Sequence, residues 1–411
     1  MDSDHIAVIA SMVESLTPEQ KAYYTPFFYN NYVKFLNNYK QRISSEDIKK
    51  IEMATRGQTK NFLWNLLRLD RQTASGAGVS TRVVPTTAAM THGHVEEHNL
   101  KNNPALINKL KRTVEKELNT EIVETVLEAG MFLSPMGLHS ASPDAYFRTR
   151  GNILVPIEIK CPFMYKDKNF YEVQASLNRK KNRYRVKGTA FSLNPVGDPV
   201  FVVETTDPHY RQMQRQMYVM NSPLGVYLVK FGDSSVANTV YREDAFCLSE
   251  HASESRIFNM IVSKNKAKSM YRLESKRFDS LINLQNFTED EKRNLAAHGI
   301  YHQYGILTCA FCQNVADVDC VAEALCDLHD KCAESKHNER EINVMFPTFF
   351  SNQARVFTLP EHYSAYSKQG LFYDNVTKEY KTFCCGLKVQ NVSHGKINHR
   401  DNCEFNKYYL H

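Results

Sequence analysis

One short alternating segment constrains this chain most strongly. Residues 155–161 read as a buried β-strand in which Glu158 and Lys160 alternate with isoleucines. Side chains two residues apart on a strand point to the same face, so the carboxylate and the ammonium stand together while the isoleucines enter a core. Ser142-Pro143-Asp144 forms a turn shortly before this strand, and Asp144 can join the pair from the end of a neighbouring strand. The segment therefore predicts a sheet with a charged cluster on one face.

Two carboxylates and one amine suit a divalent cation beside a phosphate. Carboxylate oxygens are hard ligands for Mg²⁺, and a fixed positive charge next to the attacked phosphorus favours hydrolysis. The competing interpretation is a surface ion pair on an edge strand, which is the usual explanation of an isolated Glu-x-Lys. The preceding turn and the apolar frame favour the metal site.

Four segments stand in a fixed order along the chain. They are Arg68-Leu69-Asp70-Arg71-Gln72-Thr73-Ala74-Ser75, Gly93-His94-Val95-Glu96-Glu97, Ile157-Glu158-Ile159-Lys160-Cys161-Pro162-Phe163 and Gln212-Met213-Gln214-Arg215-Gln216-Met217. Together they resemble the PD-(D/E)XK nucleases, in the branch that contains phage lambda exonuclease and the viral alkaline nucleases. The tyrosine-rich segment 27–34 is similar to the baculovirus alkaline nucleases in particular. The resemblance covers most of the chain.

This resemblance implies a metal site made of three acids. Asp144 and Glu158 would ligate Mg²⁺ or Mn²⁺, and Glu97 would contribute directly or through water. The sequence leaves open whether Glu96 or Glu97 faces the metal. It also leaves open whether one ion or two is bound, where one would activate a water and a second would steady the leaving oxygen.

The resemblance also implies roles for an amine and an amide. Lys160 would position or deprotonate the attacking water and offset negative charge in the transition state. If Lys160 is the base, activity should rise toward alkaline pH, because the amine must lose a proton. Gln214 would hold the water or a metal ligand by hydrogen bonding. Gln212 and Gln216 are equally compatible with a solvated helix face.

Arg68 and Ser75 are similar to the family residues that hold a 5′-phosphate. A guanidinium fork with a nearby hydroxyl can clasp a terminal phosphate, which would make the nuclease dependent on DNA ends. The alternative for Arg68 is an ion pair with Asp70 or another acid. Trp64, the only tryptophan, is expected to pack under this segment, with base stacking as a second interpretation.

The densest basic run lies at 178–187 and holds six cations in ten residues. Arg179, Lys180 and Lys181 are its candidate contacts to a DNA backbone, and Tyr184 is a candidate for stacking on a base. A weak nuclear-import signal and a solvated hairpin are the other interpretations.

The composition narrows the classes of function. The chain has 411 residues, of which 42% are hydrophobic and 23% charged, and a net charge of only +6. This length predicts two or three domains with a real core, and the small net charge limits any nucleic-acid surface to a local patch. No signal peptide is expected, because the N-terminus has no basic stretch followed by an apolar run. No membrane span is expected, because no apolar run approaches roughly 18 residues.

The order of helical and strand patterns predicts an α/β fold. Helices are expected at 105–118 and 212–220, and strands at 153–159, 197–204 and 225–231. With the resemblance, they predict a PD-(D/E)XK (restriction-endonuclease-like) core of a mixed central sheet flanked by helices. The expected domains are an N-terminal helical segment at 1–60, the nuclease core at 61–265, and two C-terminal modules at 270–340 and 345–411.

The C-terminal region contains a weak internal repeat. One copy includes Arg277-Phe278 and Cys309-Ala310-Phe311-Cys312, and the other includes Arg355-Val356-Phe357 and Phe383-Cys384-Cys385-Gly386-Leu387. Both resemble degenerate BIR (baculoviral IAP repeat) zinc modules, although neither has the tryptophan expected after the second cysteine. Eight of the ten cysteines lie after residue 300, which favours zinc in a reducing compartment over disulfides.

The BIR resemblance implies one zinc site in each copy. The implied ligands are Cys309, Cys312, His329 and Cys332 in the first copy, and Cys385, His399 and Cys403 in the second. Thr382 occupies the first ligand position of the second copy, and Cys332 comes early in the first. The alternative is that these cysteines are small core hydrophobes.

Two functions of different class are compatible with these features. The favoured one is a Mg²⁺-dependent DNA exonuclease that trims duplex ends 5′-to-3′ in viral DNA replication, recombination and genome maturation, with single-strand endonuclease activity left open. The resemblance implies a viral single-stranded-DNA-binding protein as partner and the host nucleus as location, and leaves oligomers open. The rival is a non-enzymatic, zinc-binding interaction protein built on the BIR-like repeats.

Overall fold

The computed structural model describes residues 3–76, 87–177, 180–198, 200–311, 314–317, 344–350, 352–390 and 396–409. The α-helices are α1 Ser3–Glu14, α2 Pro18–Phe27, α3 Tyr29–Lys34, α4 Ser45–Ala54, α5 Phe62–Arg68, α6 Ala88–Lys101, α7 Pro104–Leu118, α8 Phe170–Ala175, α9 Pro208–Met220, α10 Asp244–Met270, α11 Glu274–Leu281, α12 Glu289–Ala297, α13 Asn352–Val356 and α14 Glu404–Tyr409. The strands are β1 Gln72–Thr73, β2 Ile122–Val126, β3 Phe132–Leu133, β4 His139–Ala141, β5 Ala145–Thr149, β6 Leu154–Lys160, β7 Tyr184–Arg185, β8 Phe191–Leu193, β9 Phe201–Val203, β10 Leu224–Phe231, β11 Ser234–Tyr241, β12 Ile300–Gln303, β13 Ile306–Cys309, β14 Val315–Asp317, β15 Leu371–Asp374 and β16 Glu379–Thr382.

The chain divides into two compact units. The first contains residues 1–30 and 42–258, and the second contains residues 31–41 and 259–411. The division falls inside the long helix α10, and residues 31–41 group with the C-terminal half. Within the described ranges, no helix combines the length and apolar character needed to cross a membrane.

A five-stranded mixed sheet forms the centre of the first unit. Its strand order is β11-β10-β6-β5-β2, with β6 and β10 parallel and the other neighbours antiparallel. Helix α7 packs Leu110 and Val114 against one face, in a core that includes Ile157 and Ile159. Helix α9 packs Met213 and other apolar residues near the opposite face. The predicted α/β class, a mixed sheet flanked by helices, is confirmed.

The two helices that cover this sheet begin and end where their sequences direct. Pro104 and Pro208 occupy first-turn positions, which suits a residue without an N–H. The side chain of the preceding Asn or Asp accepts a backbone hydrogen bond from the first turn. Asn119 and Asn221 end the helices in the left-handed conformation. By contrast, the strand expected at 197–204 is only Phe201–Val203, with Gly197 at positive φ before it.

A second, three-stranded sheet holds the 68–75 segment near the central sheet. Its order is β1-β4-β3, and β1 runs parallel to β4. The Ala74 amide continues this pairing by donating to the carbonyl of Ser140 at 2.9 Å. The segment between Arg68 and Ser75 is therefore tied by backbone hydrogen bonds to the chain that leads into Asp144.

The internal repeat of the sequence corresponds to a repeated hydrogen-bond pattern in the second unit. Arg277 and Arg355 are buried, and each donates from Nε to the carbonyl three residues before a left-handed glycine, Gly299 or Gly370. Each also donates from Nη1 to the carbonyls five and six residues before itself. The repeat is therefore structural as well as sequential.

The β-hairpins of the two copies give an alignment of the repeat. Ile300 pairs with Cys309 in the first hairpin, and Leu371 pairs with Thr382 in the second. The next residue in each copy, 310 or 383, donates its amide to the carbonyl of the left-handed glycine. Thr382 therefore lies at the position of Cys309, as the sequence predicted.

Gly130 lies where no side chain fits. A Cβ on Gly130 would lie 1.8 Å from the carbonyl oxygen of Glu52 and 2.6 Å from Oγ1 of Thr55. Because the first neighbour is backbone, Gly130→Ala should lower the free energy of unfolding by about 3 kcal/mol. Thermal unfolding measures this effect.

Gly93→Ala is the matched control, because Gly93 lies in α6 with nothing within 4 Å of the position that a Cβ would take. It should be neutral or stabilise by up to about 1 kcal/mol. Equal melting temperatures for the two variants would contradict this packing.

Candidate active site

Strand β6 presents Glu158 and Lys160 on the face opposite its isoleucines. Glu158 is 1% exposed and lies beside Tyr227 of the parallel strand β10. The ammonium of Lys160 forms a short hydrogen-bonded ion pair with Oε1 of Glu158. The alternation therefore has the predicted consequence, with Glu158 buried and Lys160 partly buried in an inner strand of the central sheet.

Asp144 enters the same cluster from the start of β5. Its amide donates to the carbonyl of Ile157 at 3.1 Å, and its Oδ2 accepts from the amide of Ile159 at 2.6 Å. Burial raises the pKa of Asp144 well above its ordinary value, and the charges of Glu158 and Glu97 raise it further, against the opposing effect of Lys160. The structure thus brings three predicted acids into electrostatic contact.

Glu97 lies on helix α6 and is held by a buried lysine. Its Oε1 is 2.6 Å from Nζ of Lys101, which is itself 4% exposed. The neighbouring Glu96 makes a different ion pair, 2.6 Å from Nζ of Lys230. The charge of Glu97 is among those that raise the pKa of Asp144.

The charge of Lys160 is stabilised by its acidic neighbours. Burial alone would lower the pKa of this amine, but Glu158 and Asp144 outweigh that effect, so the pKa lies above its ordinary value. In this arrangement Lys160 is an ammonium that neutralises part of the acidic cluster.

The structure corrects the predicted role of Gln214. Its amide donates to the carbonyl of Tyr241 and accepts from the amide of Glu243, both away from Glu158. Instead, Gln212 and Gln216 donate to the two oxygens of Glu158, at 2.7 and 2.6 Å. The reason is helical geometry, since residues four apart share a face and the residue midway between them faces the other side.

Sequence reasoning also missed His209, which lies on the same side of α9. Residues 209, 212 and 216 follow the i, i+3, i+7 spacing of one helix face. The Nδ1 of His209 is 3.1 Å from the hydroxyl of Tyr227. Burial lowers the pKa of His209, and the charge of Lys160 lowers it further. The helical spacing itself was the signal that would have found this histidine and both glutamines.

Two side-chain contacts link Arg68 to the turn that precedes Asp144. Its guanidinium stacks on the ring of Trp64 at 4.1 Å, and Nε1 of Trp64 donates to Oγ of Ser142 at 2.8 Å. Ser142 stands two residues before Asp144. Burial lowers the pKa of Arg68, and among the described residues no acid forms an ion pair with it.

Asp70, the ion-pair partner considered for Arg68 from the sequence, accepts a hydrogen bond from Asn30 instead. Trp64 is 5% exposed and therefore packs under Arg68 as predicted.

The other predicted phosphate and DNA contacts that the structure describes lie on the surface. Ser75 is exposed, with its hydroxyl 3.3 Å from that of Thr73. Lys180 and Lys181 are also exposed, whereas Arg179 lies outside the described residues. Two further cations of the basic run are neutralised, because Arg183 pairs with Glu204 and Arg185 pairs with Asp207. The run is therefore less positive than its composition indicates.

The second unit holds a separate cluster of residues that could hold a metal ion. It consists of Cys384, Cys385, His399 and Cys403. Three of these were predicted, and Cys384 was not. In the first copy of the repeat, Cys309 is buried in an apolar core. The remaining predicted ligands of that copy, at 312, 329 and 332, lie outside the described residues.

Comparison with known proteins identifies the family. The sequence model of the viral alkaline exonuclease family matches residues 6–177. The alkaline nuclease of Autographa californica nuclear polyhedrosis virus is 36% identical, over 97% of this chain and 99% of that relative. The chain belongs to the alkaline nuclease family. The alkaline nuclease of Orgyia pseudotsugata multicapsid polyhedrosis virus is 38% identical, over 85% of this chain and 84% of its own length.

Family membership makes the chain a viral nuclease, a hydrolase of the exonuclease type, and does not favour the interaction-protein alternative. Among solved structures, the shutoff and exonuclease protein from Kaposi's sarcoma-associated herpesvirus is similar with a TM-score of 0.32 and 11% identity. The similarity covers 54% of this chain and 73% of that protein.

Two glutamines of α9 give a test of which amides serve the site. Gln212→Leu removes a donor to Glu158 and should lower nuclease activity by about 10–100-fold, as is typical of residues that orient a metal ligand. Gln214→Leu is the matched control, because it removes hydrogen bonds to Tyr241 and Glu243 and none to Glu158. It should lower thermal stability more than activity per folded molecule. Unchanged activity in Gln212→Leu together with a stable, inactive Gln214→Leu would reverse this assignment.

The raised pKa of Asp144 predicts a pH dependence of stability in the metal-free protein. Between the ordinary pKa of 3.8 and the raised value, the folded state binds more protons than the unfolded state, so stability falls as pH rises through that window. Asp144→Asn removes this titration. In the presence of a metal chelator, the variant should have a melting temperature a few degrees above that of the wild type at pH 8. Its melting temperature should also change less with pH. Thermal unfolding between pH 5 and pH 8 measures both quantities, and identical slopes would refute the expectation.

Proposed function

We propose that the chain is a Mg²⁺-dependent DNA exonuclease that removes nucleotides 5′-to-3′ from duplex ends. The observation that carries this proposal is the meeting of Asp144, Glu158 and Lys160 at one point of the central sheet, within a family of alkaline nucleases. A buried acidic pair with one ammonium is a composition that suits metal-assisted phosphodiester hydrolysis.

The acids of this site suit a hard divalent cation. Burial raises the pKa of Asp144, repulsion from the neighbouring acids raises it further, and a dication between the acids would relieve that repulsion. The Oε1 of Gln216 is buried and accepts no hydrogen bond within the described part of the chain. Asp144 and Glu158 would hold Mg²⁺ or Mn²⁺, with Glu97 contributing directly or through water. When bound, the ion supplies a more acidic water and a Lewis acid for the phosphate.

The remaining residues of the site act on the substrate and on the acids. Lys160, as an ammonium, would offset negative charge on the phosphate and position the attacking water. Gln212 and Gln216 hold both oxygens of Glu158, so this carboxylate keeps one orientation. His209, beside Tyr227 and near Lys160, is placed to exchange a proton with solvent at the rim of the site.

We assign recognition of the 5′-phosphate to Arg68 and Ser75. Support comes from Arg68, a partly desolvated guanidinium with no acidic partner within the described ranges, linked through Trp64 to the turn before Asp144. An anion at this point would gain a charge-assisted hydrogen bond without displacing an existing pair. The exposed Lys180 and Lys181, and the segment around Arg179, would contact the DNA backbone without sequence preference.

The biological setting is an extension of this proposal. We propose a role in viral DNA replication, recombination and genome maturation, with endonuclease activity on single strands. The partner would be a viral single-stranded-DNA-binding protein that anneals the strand left by digestion, and the location would be the host nucleus. These assignments follow from the family resemblance of the sequence.

Digestion of linear and circular duplex DNA tests the central proposal. With Mg²⁺, the wild type should degrade linear DNA and release label from 5′ ends before internal label. Asp144→Asn should be inactive while remaining folded. Wild-type protein that is folded but leaves both DNAs intact, with Mg²⁺ or Mn²⁺, would contradict the proposal.

The phosphate site gives a separate prediction. Arg68→Ala should remove most of the preference for 5′-phosphorylated over 5′-hydroxyl ends, by about tenfold in the ratio of initial rates. Arg112→Ala is the matched control, because Arg112 is an exposed arginine of α7, the helix that packs behind the isoleucines of β6. An unchanged ratio in Arg68→Ala would show that another residue binds the terminal phosphate.

A further inference from the structure

A second metal site lies in the other unit of the chain. We propose that Cys384, Cys385, His399 and Cys403 bind one Zn²⁺ ion in a closed, structural site. The four ligand atoms lie within 4.8 Å of one another. The three cysteines are buried and carry free thiols, and the histidine is half-buried. The inference is independent of the nuclease proposal, because none of these residues belongs to the first unit.

The hydrogen bond of His399 fixes which of its nitrogens faces the sulfurs. Its Nε2 is 2.9 Å from the carbonyl oxygen of Gln369. A carbonyl oxygen only accepts, so Nε2 carries the proton and Nδ1 presents a lone pair. This is the arrangement seen in metal-binding histidines, whose second nitrogen donates to a carbonyl or carboxylate.

Three sulfurs converge on that single lone pair. The Sγ atoms of Cys384, Cys403 and Cys385 lie 3.2, 3.5 and 3.8 Å from Nδ1 of His399. One lone pair accepts one good hydrogen bond, so three thiols around it are not explained by hydrogen bonding. A cation bound by all four atoms explains the convergence.

The spacing matches the size of a zinc ion. Tetrahedral zinc with Zn–S near 2.3 Å and Zn–N near 2.0 Å places its nitrogen and sulfur ligands about 3.5 Å apart. The three observed distances, 3.2, 3.5 and 3.8 Å, bracket this value. Three thiolates and one imidazole are ligands typical of structural zinc, with no open position for a substrate or water.

The ligand set differs from the one implied by the sequence repeat. Thr382 occupies the place of Cys309, and two positions later Cys384 stands where the first copy has Phe311. The hydroxyl of Thr382 accepts from the amide of Leu387 and lies 3.1 Å from Sγ of Cys385, to which it can donate. Thr382 therefore supports a thiolate ligand, and Cys384 supplies the fourth bond.

The ion would join two parts of a small module. Cys384 and Cys385 follow strand β16, whereas Cys403 immediately precedes helix α14. The apolar core around them is small and is made largely of phenylalanines. Modules of this size commonly need a metal or a disulfide in addition to their core. Zinc would thus connect the hairpin to the C-terminal helix.

Alkylation of the full-length protein tests the ligand set without any mutation. Each cysteine is scored by peptide mass spectrometry, before and after a zinc chelator, and again after addition of Zn²⁺ or Mg²⁺. Cys384, Cys385 and Cys403 should become reactive together on chelation and be protected again by Zn²⁺ but not by Mg²⁺. Cys247, a buried thiol of the first unit, is the control and should not respond. Labelling unaffected by the chelator, or release that leaves out Cys384, overturns the proposal.

Metal content gives the second measurement. Wild-type protein should contain at least one zinc per chain, and Cys384→Ser should contain one fewer than wild type. Cys247→Ser, the same substitution at a buried cysteine outside the cluster, should keep the full content. Full zinc content in a folded Cys384→Ser, or wild type without zinc, contradicts the assignment. If Cys384→Ser does not fold, the alkylation pattern of the wild type decides.

Discussion

The candidate active site of the first unit depends on two acidic side chains, Asp144 and Glu158, which backbone hydrogen bonding holds close together. Strands β5 and β6 are hydrogen-bonded neighbours, and the Ile157 carbonyl and Ile159 amide both bond to Asp144. Asp144 therefore cannot move away from β6 without breaking these two hydrogen bonds. The arrangement is unfavourable for the isolated carboxylate, as its raised pKa shows, and Lys160 offsets only part of the repulsion. Such a site is stabilised by whatever cation enters it.

The architecture around this cluster separates apolar from polar chemistry. One face of β6 contributes Ile157 and Ile159 to a core under α7, which gives the sheet its stability. The other face contacts α9, where Gln212 and Gln216 donate hydrogen bonds to Glu158. A rigid strand thus supplies the acid and a rigid helix holds its orientation, which is the support that precise metal binding requires.

The features of the fold and the site that could be predicted are those that a single local sequence pattern determines. Alternation along β6 was sufficient to place Glu158 and Lys160 together, because the side-chain period of a strand is two. The expected helix at 105–118 matches α7 within one residue, whereas α9 begins at Pro208, four residues before its expected start. Gln214 was chosen because it matches a family motif. In the structure its side chain faces away from Glu158 and donates to Tyr241. The angular position of a residue around the helix axis, which the motif match did not consider, decides which amide contacts Glu158.

Other features depended on contacts between distant segments and left little trace in the sequence. The stacking of Arg68 on Trp64, and the bond from Trp64 to Ser142, join segments that are 78 residues apart. Cys384 was missed because the ligand had moved two positions from the place where the repeat predicted it, into the turn that follows β16. Pattern matching assumes fixed spacing, whereas a metal site requires only that the donor atoms meet in space.

The most direct test of the account is to locate a divalent ion crystallographically. A crystal of the protein soaked in Mn²⁺ should show an anomalous difference peak within bonding distance of carboxylate oxygens of both Asp144 and Glu158. The same soak of Asp144→Asn crystals should show that peak lost or greatly weakened. Ordered carboxylates with no peak between them, at Mn²⁺ concentrations that support cleavage, would contradict the central claim.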